Sequence, residues 1–242
     1  MSEIVAAMSN GKSLIQAVKA GYDVATEARA ILALRAFAAE AGETEASATR
    51  AIADMAASPQ QAQVLRKVVR EILFGTETIA LAALAKLAAR LKKDPSDFAA
   101  ASAAYSVDGL ANSNALLFLM LLSAGENAME RLEEPPLWRL DIARNFTAEF
   151  ESGLSLIGLR QRAVLLTTAL NLRRAGLLAE PGRVGLMDAQ HTEVFFLVSA
   201  ETHYLYSLLW AAAQVAERDV FMGMPWLLNP DDAADQTPAR PL

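Results

Sequence analysis

The sequence predicts an all-α, multi-helix bundle of about eight or nine helices, with one small β-hairpin near 184–198 as the single departure. Three observations lead there. Alanine fills 49 of the 242 positions, and alanine is the best helix former and a poor strand former. Apolar residues recur at spacings of three and four along most of the chain, which is the signature of helices with one buried face. Capping residues, glycines and prolines then divide that pattern into helix-sized pieces. Residues 1–230 read as one helical domain whose two halves meet near 134–137, and 231–242 read as a disordered C-terminal tail.

The elements follow in order. Residues 12–41 carry a stripe of Leu14, Val18, Tyr22, Ala25, Ala28 and Leu32, capped by Ser9 or Asn10 and stopped by Gly42. A second helix covers 45–57. Ser58-Pro59-Gln60-Gln61 combines a capping serine, a proline suited to the first helical position and a glutamine three residues on. That helix runs to Phe74 and stops at Gly75. The next starts at Thr76 or Thr78 and ends at Lys92-Lys93, whose charges suit the negative end of a helix. Asp94-Pro95-Ser96-Asp97 opens a short helix to about Tyr105, and 107–112 is a turn. Asn112 or Ser113 caps the most apolar helix, expected to run to about Leu132 with Leu116–Leu122 at the centre of the bundle.

Pro135-Pro136 is the strongest break. Beyond it, Ile142, Phe146 and Phe150 are spaced to share one helical face, and Ser152-Gly153 interrupts. A helix is expected over 156–175, closed by Gly176 with a contact between Leu172 and Leu177. Segments 184–187 and 194–198 are the only stretches that read as strands. Ser199 caps a last helix to about Arg218.

Composition narrows the function classes. The formal net charge is −6 and the pI about 5.1, which disfavours non-specific attraction to nucleic acid or anionic lipid. There is no cysteine, so disulfides and thiolate chemistry are excluded. Residues 1–11 hold an acid, no base and no apolar core, and do not read as a signal peptide. The longest apolar run, Ala115–Ala124, has ten residues, well short of the roughly 18 needed to span a bilayer. A cytoplasmic protein is expected.

Several constellations invite chemistry. Asn10-Gly11-Lys12-Ser13 matches the end of a phosphate-binding loop, but Ala6 stands where that loop needs glycine. His191, Glu193, Glu201 and His203 put four metal-ligand types within thirteen residues, without the usual helical ligand spacing. Residues 51–73 place a short turn before a basic helix, with Gln60, Gln63, Arg66, Lys67 and Arg70 as side chains suited to bases and phosphates. Leu159–Val198 carries Arg160, Arg162, Arg173 and Arg174 on a helix that leads to a hairpin. That order resembles a winged helix, and the resemblance implies DNA binding or protein docking. No nucleophile elbow surrounds a serine, and no Glu-x-x-His occurs. No catalytic residue, cofactor or resident metal is assigned.

Elimination leaves a non-catalytic protein-interaction, adaptor or regulatory domain that self-associates. The contact surface would be Phe221, Met222, Met224, Trp226, Leu227 and Leu228, a stretch too apolar for a free tail. The partner would be another protein or a second copy. One alternative is a DNA-binding transcriptional regulator with a helix-turn-helix or winged-helix segment. Another is a membrane-active helical bundle, suggested by the positive mean hydropathy of +0.22 and by the apolar stretches Ala80–Leu91, Ala115–Ala124 and Val194–Ala216.

Overall fold

Helix propensity and capping account for most of the architecture. The computed structural model describes residues 14–53, 59–133, 137–178 and 193–227. Among them are ten α-helices and one three-stranded antiparallel sheet. The helices are α1 (Leu14–Ala41), α2 (Glu45–Ala53), α3 (Pro59–Phe74), α4 (Thr78–Lys93), α5 (Phe98–Ser106) and α6 (Asn112–Ala124). Strands β1 (Glu130–Glu133) and β2 (Leu137–Asp141) follow. Then come α7 (Ala148–Leu156), α8 (Arg162–Arg174), β3 (Glu193–Leu197), α9 (Ala200–Ala216) and the short α10 (Arg218–Met222).

Helix α4 is the hub. Every residue from Ile79 to Ala89 is buried, Lys86 included. It packs on α1, α3, α5, α6 and α9. Alanines at 80, 82, 83, 85, 88 and 89 explain how so many neighbours fit. A methyl side chain lets a second helix axis approach to the short end of the usual 8–10 Å range. Leu81, Leu84, Leu87 and Leu91 supply the bulk that fills the remaining space. Helix α6 was expected at the centre, and Ala115–Leu121 are indeed all buried. It packs on α7, α8 and α9 as well as α4.

Polar contacts at the helix ends tie α4, α6 and the α9–α10 corner together. Asn112, at the start of α6, donates from Nδ2 to Thr78 Oγ1 at 2.9 Å and to Glu217 Oε1 at 3.0 Å. Its Oδ1 accepts from the Ile79 amide at 3.0 Å. Its own amide donates to Glu77 Oε2 at 2.7 Å. One side chain thereby satisfies the first turn of α4 and anchors the α9–α10 corner.

Several boundaries differ from the sequence reading. The most apolar helix stops at Ala124, not near Leu132. The chain turns there through Gly125–Asn127 into β1. Ile142 and Phe146 precede α7, so the three-residue face with Phe150 does not exist as one helix. Gly153 sits inside α7 and does not interrupt it. A β-carbon there would lie 2.8 Å from Met120 Cε and 2.9 Å from Trp226 Cζ2, so the bare backbone lets α6 and the C-terminal segment close in. The short helix α5 is capped by Asp97, whose Oδ1 accepts from the Ala100 amide at 2.9 Å. Asp94 instead turns onto Ser96.

The sheet corrects the strand assignment most. Strand β3 matches the expected 194–198 segment, but its partner is β2, more than fifty residues earlier. Leu140 opposes Val194, and Trp138 opposes Phe196. Leu140, Val194 and Phe196 are buried on one face. Strand β1 adds to the other edge of β2, with a register shift between Arg131 and Glu133. The expected strand 184–187, the Pro135-Pro136 break, the Ser9, Asn10 and Ser58 caps and the tail 231–242 lie outside the described residues.

Candidate nucleic-acid interface

Between β2 and β3 the chain builds a helix–turn–helix pair. Asp141 starts it by accepting from the Ala143 amide at 2.8 Å, and Thr147 caps α7 through the Phe150 amide. Helix α7 ends in a left-handed turn at Gly158, φ 74°. The Gly158 amide donates to Ser155 O at 3.2 Å and the Leu159 amide to Leu154 O at 2.8 Å. Leu154 and Leu159, the pair of leucines that such a turn brings together, are both buried. The same two-bond closure ends α8, where Gly176 donates to Arg173 O and Leu177 to Leu172 O, each at 3.0 Å. The turn before α8 and the turn after it are therefore closed in the same way. Gly158→Ala should cost about 1 kcal/mol, the penalty for a β-carbon in the left-handed region. A melting midpoint unchanged by that substitution would contradict the turn described.

Helix α8 has two distinct faces. Leu165, Thr168, Ala169 and Leu172 recur at i, i+3, i+4 and i+7 and are buried, packing on α6 and β3. The opposite stripe holds Ala163, Val164, Thr167, Asn171 and Arg174, and Arg160 lies in the segment just before the Gln161 N-cap. All six are exposed except Asn171, which is half-buried. The stripe is short side chains ending in Arg174, with Arg160 beyond its N-terminal end. Gln161 sits at the N-cap without a side-chain hydrogen bond to the helix, so the first amides of α8 keep free donor capacity within it.

The charge pattern is local. From Ser152 to Ala179 there are four arginines and no acidic residue. The rest of the chain holds 18 lysines and arginines against 28 acids, a balance of −10. Arg160, Arg162 and Arg174 enter no ion pair among the described residues. In contrast, Arg139 on the sheet is neutralised by Glu130 and Glu193.

The α3 residues suited to nucleic acid are placed differently. Lys67 and Arg70 both pair with Asp108. Lys67 also lies 4.4 Å from the centre of the Tyr105 ring. Gln63 Oε1 accepts from the Tyr105 hydroxyl at 3.0 Å. Gln60 is half-buried and Arg66 exposed. The face is largely committed to holding α5 and the loop after it.

The metal-ligand types do not gather. Glu193 is held by Arg139 at 3.1 Å. Glu201 and His203 are exposed on the first turn of α9, where Ser199 and Thr202 form a capping box. His191 lies outside the described residues. Among the described residues, no three His, Asp or Glu side chains come together as a metal site. Among the same residues, no helix is long and apolar enough to cross a membrane.

The apolar C-terminal stretch folds back on its own chain. Phe221, Met224 and Leu227 are buried. Phe221 meets Trp210 edge-on at 5.5 Å and Trp226 lies 6.3 Å from Phe150, ring centre to ring centre. Only Met222 is exposed, and Leu228 lies outside the described residues. Three of these side chains are core in the single chain, Trp226 is half-buried, and Met222 is left facing outward.

The sequence offered the four arginines but not Thr167 and Asn171, whose signal is their helical register with Arg174. It also placed the start of the unit at 159, because β2, its first strand, pairs with β3 across the intervening helices. No family model matches the chain, and no significantly similar curated protein or solved structure was found.

Proposed function

We propose that this chain is a DNA-binding regulatory protein that docks α8 in the major groove. The order β2, α7, turn, α8, β3, with β2 antiparallel to β3, resembles a winged helix. The observation that carries the reading is the outward face of α8. A major groove about 12 Å wide admits a helix. Ala163 and Thr167 would let its axis come close to the base edges. Asn171 offers the paired donor and acceptor that suit adenine, and Val164 and Thr167 offer methyl groups to thymine. Arg174 in the last turn of α8 and Arg160 just before its N-cap flank the two ends of the helix, and both would reach toward the phosphates that border the groove. The acidic remainder of the chain would repel DNA from every other face and so orient the approach.

Fluorescence anisotropy on a labelled duplex of about 20 base pairs tests this. Binding should weaken with salt, with a log–log slope of about −3 to −4 for some four neutralised phosphates. No binding at low salt would remove the proposal.

A second reading, self-association, draws on Phe74 and Phe98, which are 74% and 76% exposed. A native mass spectrum showing monomer alone across micromolar concentrations would remove that one.

A further inference from the structure

A cavity of about 160 Å³ lies between α1, α2, α3 and α4. Its floor is buried: Ala33 and Phe37 from α1, Val68 from α3, and Ala85 and Ala88 from α4. Its mouth is formed by Ile52, Leu65 and the 45%-exposed Val69. Every residue around it is apolar.

These facts restrict what can occupy it. A water molecule needs two to four polar partners to be held in a protein interior, and these walls offer none. An apolar space left empty forfeits the dispersion contacts its lining would otherwise make. A cavity of about 150 Å³ with similar walls stays dry and accommodates benzene. The alanines on α1 and α4 set the volume, and the Phe37 ring offers an aromatic surface. Val69 and its half-buried neighbours leave a way in from solvent.

We infer that this protein binds a small hydrocarbon the size of a single aromatic ring in this cavity. The site excludes polar analogues because a hydroxyl or N–H placed there has no partner and loses its hydration. This inference does not rest on DNA binding, since its test contains no DNA.

Toluene and phenol are the probes, used with the full chain in isothermal titration and in saturation-transfer NMR. Toluene should bind, and should raise the melting midpoint. Phenol should bind at least about tenfold more weakly, the cost of one unpaired hydroxyl. Ala33→Leu should fill the cavity and abolish toluene binding. If that variant fails to fold, Val69→Phe decides, because it narrows the mouth from an exposed position and should weaken toluene binding by at least about tenfold. The inference is overturned by no toluene binding to the native chain, by equal affinity for phenol, or by undiminished binding to a folded, filled variant.

Discussion

Exchanging Arg160 and Arg174 together for glutamate should weaken duplex binding by about a hundredfold at low salt. Each arginine would supply about one phosphate contact, and losing a contact of roughly 1.4 kcal/mol is a factor of ten. Charge reversal adds repulsion on top. The salt slope should fall by about 2, because two fewer counterions are released. Stability should stay within about 0.5 kcal/mol of the native chain, since both side chains are exposed and unpaired among the described residues. The informative contrast is Lys67→Ala with Arg70→Ala. Those side chains are held by Asp108, so that pair of changes should cost stability and leave DNA affinity nearly unchanged. If the α3 variant loses binding and the α8 variant keeps it, DNA docks on the other face.

Glu40→Ala should be among the most destabilising single changes outside the leucine core, by about 3 kcal/mol. Glu40 at the end of α1 faces two cations of α4. Arg90 Nε donates to Oε1 at 2.8 Å and Lys86 Nζ to Oε2 at 3.4 Å. The Lys86 side chain is only 7% exposed. Removing the carboxylate leaves a lysine deep in the α1–α4 contact without its counter-charge. Arg90 is better supported, because its guanidinium also lies 5.0 Å from the centre of the Tyr204 ring. For a chain of this length, about 3 kcal/mol corresponds to a fall of roughly 6–12 °C in the melting midpoint. A fall of less than about 2 °C would show that Lys86 finds water or another partner.

The same carboxylate makes a pH prediction. Burial works against its charged form, but Arg90 and Lys86 outweigh burial and hold its pKa below the ordinary 4.5. A carboxyl lowered by folding contributes stability above its unfolded pKa and loses it as pH falls through the folded value. The stability advantage of the native chain over Glu40→Gln should therefore be constant at neutral pH and shrink below about pH 4.5. An advantage that persists unchanged under acid conditions would contradict the pairing.

Local chemistry made much of this fold readable. Gly42, Gly75 and Gly176 each close the helix that periodicity placed before them, and Ser199 caps the helix placed after it. These signals act within a few residues, so a single sequence carries them. The misread parts depend on distant partners. Residues 130–133 look like a helical continuation until β2 pairs with them. Residues 137–141 do not read as a strand on their own until β3 returns beside them. Gly153 resembles a break because its reason for being glycine lies in Met120 and Trp226, remote in sequence. Asp94 and Asp97 are equivalent as caps by residue type, and only geometry shows that Asp97 reaches Ala100. The candidate interface shares this division. Its arginines stood out as residue types, whereas the difference between paired and unpaired bases appeared only when Asp108 was found beside Lys67 and Arg70.

The most direct test of the account is site-specific photocrosslinking to a radiolabelled duplex from two positions. A photoreactive aromatic residue at Thr167 lies at the middle of the outward face of α8. The same residue at Gln63 lies on the exposed side of α3. DNA docked on α8 gives salt-sensitive crosslinks from position 167 and none from position 63. Crosslinks from position 63 alone, or from neither position at low salt, would contradict that docking.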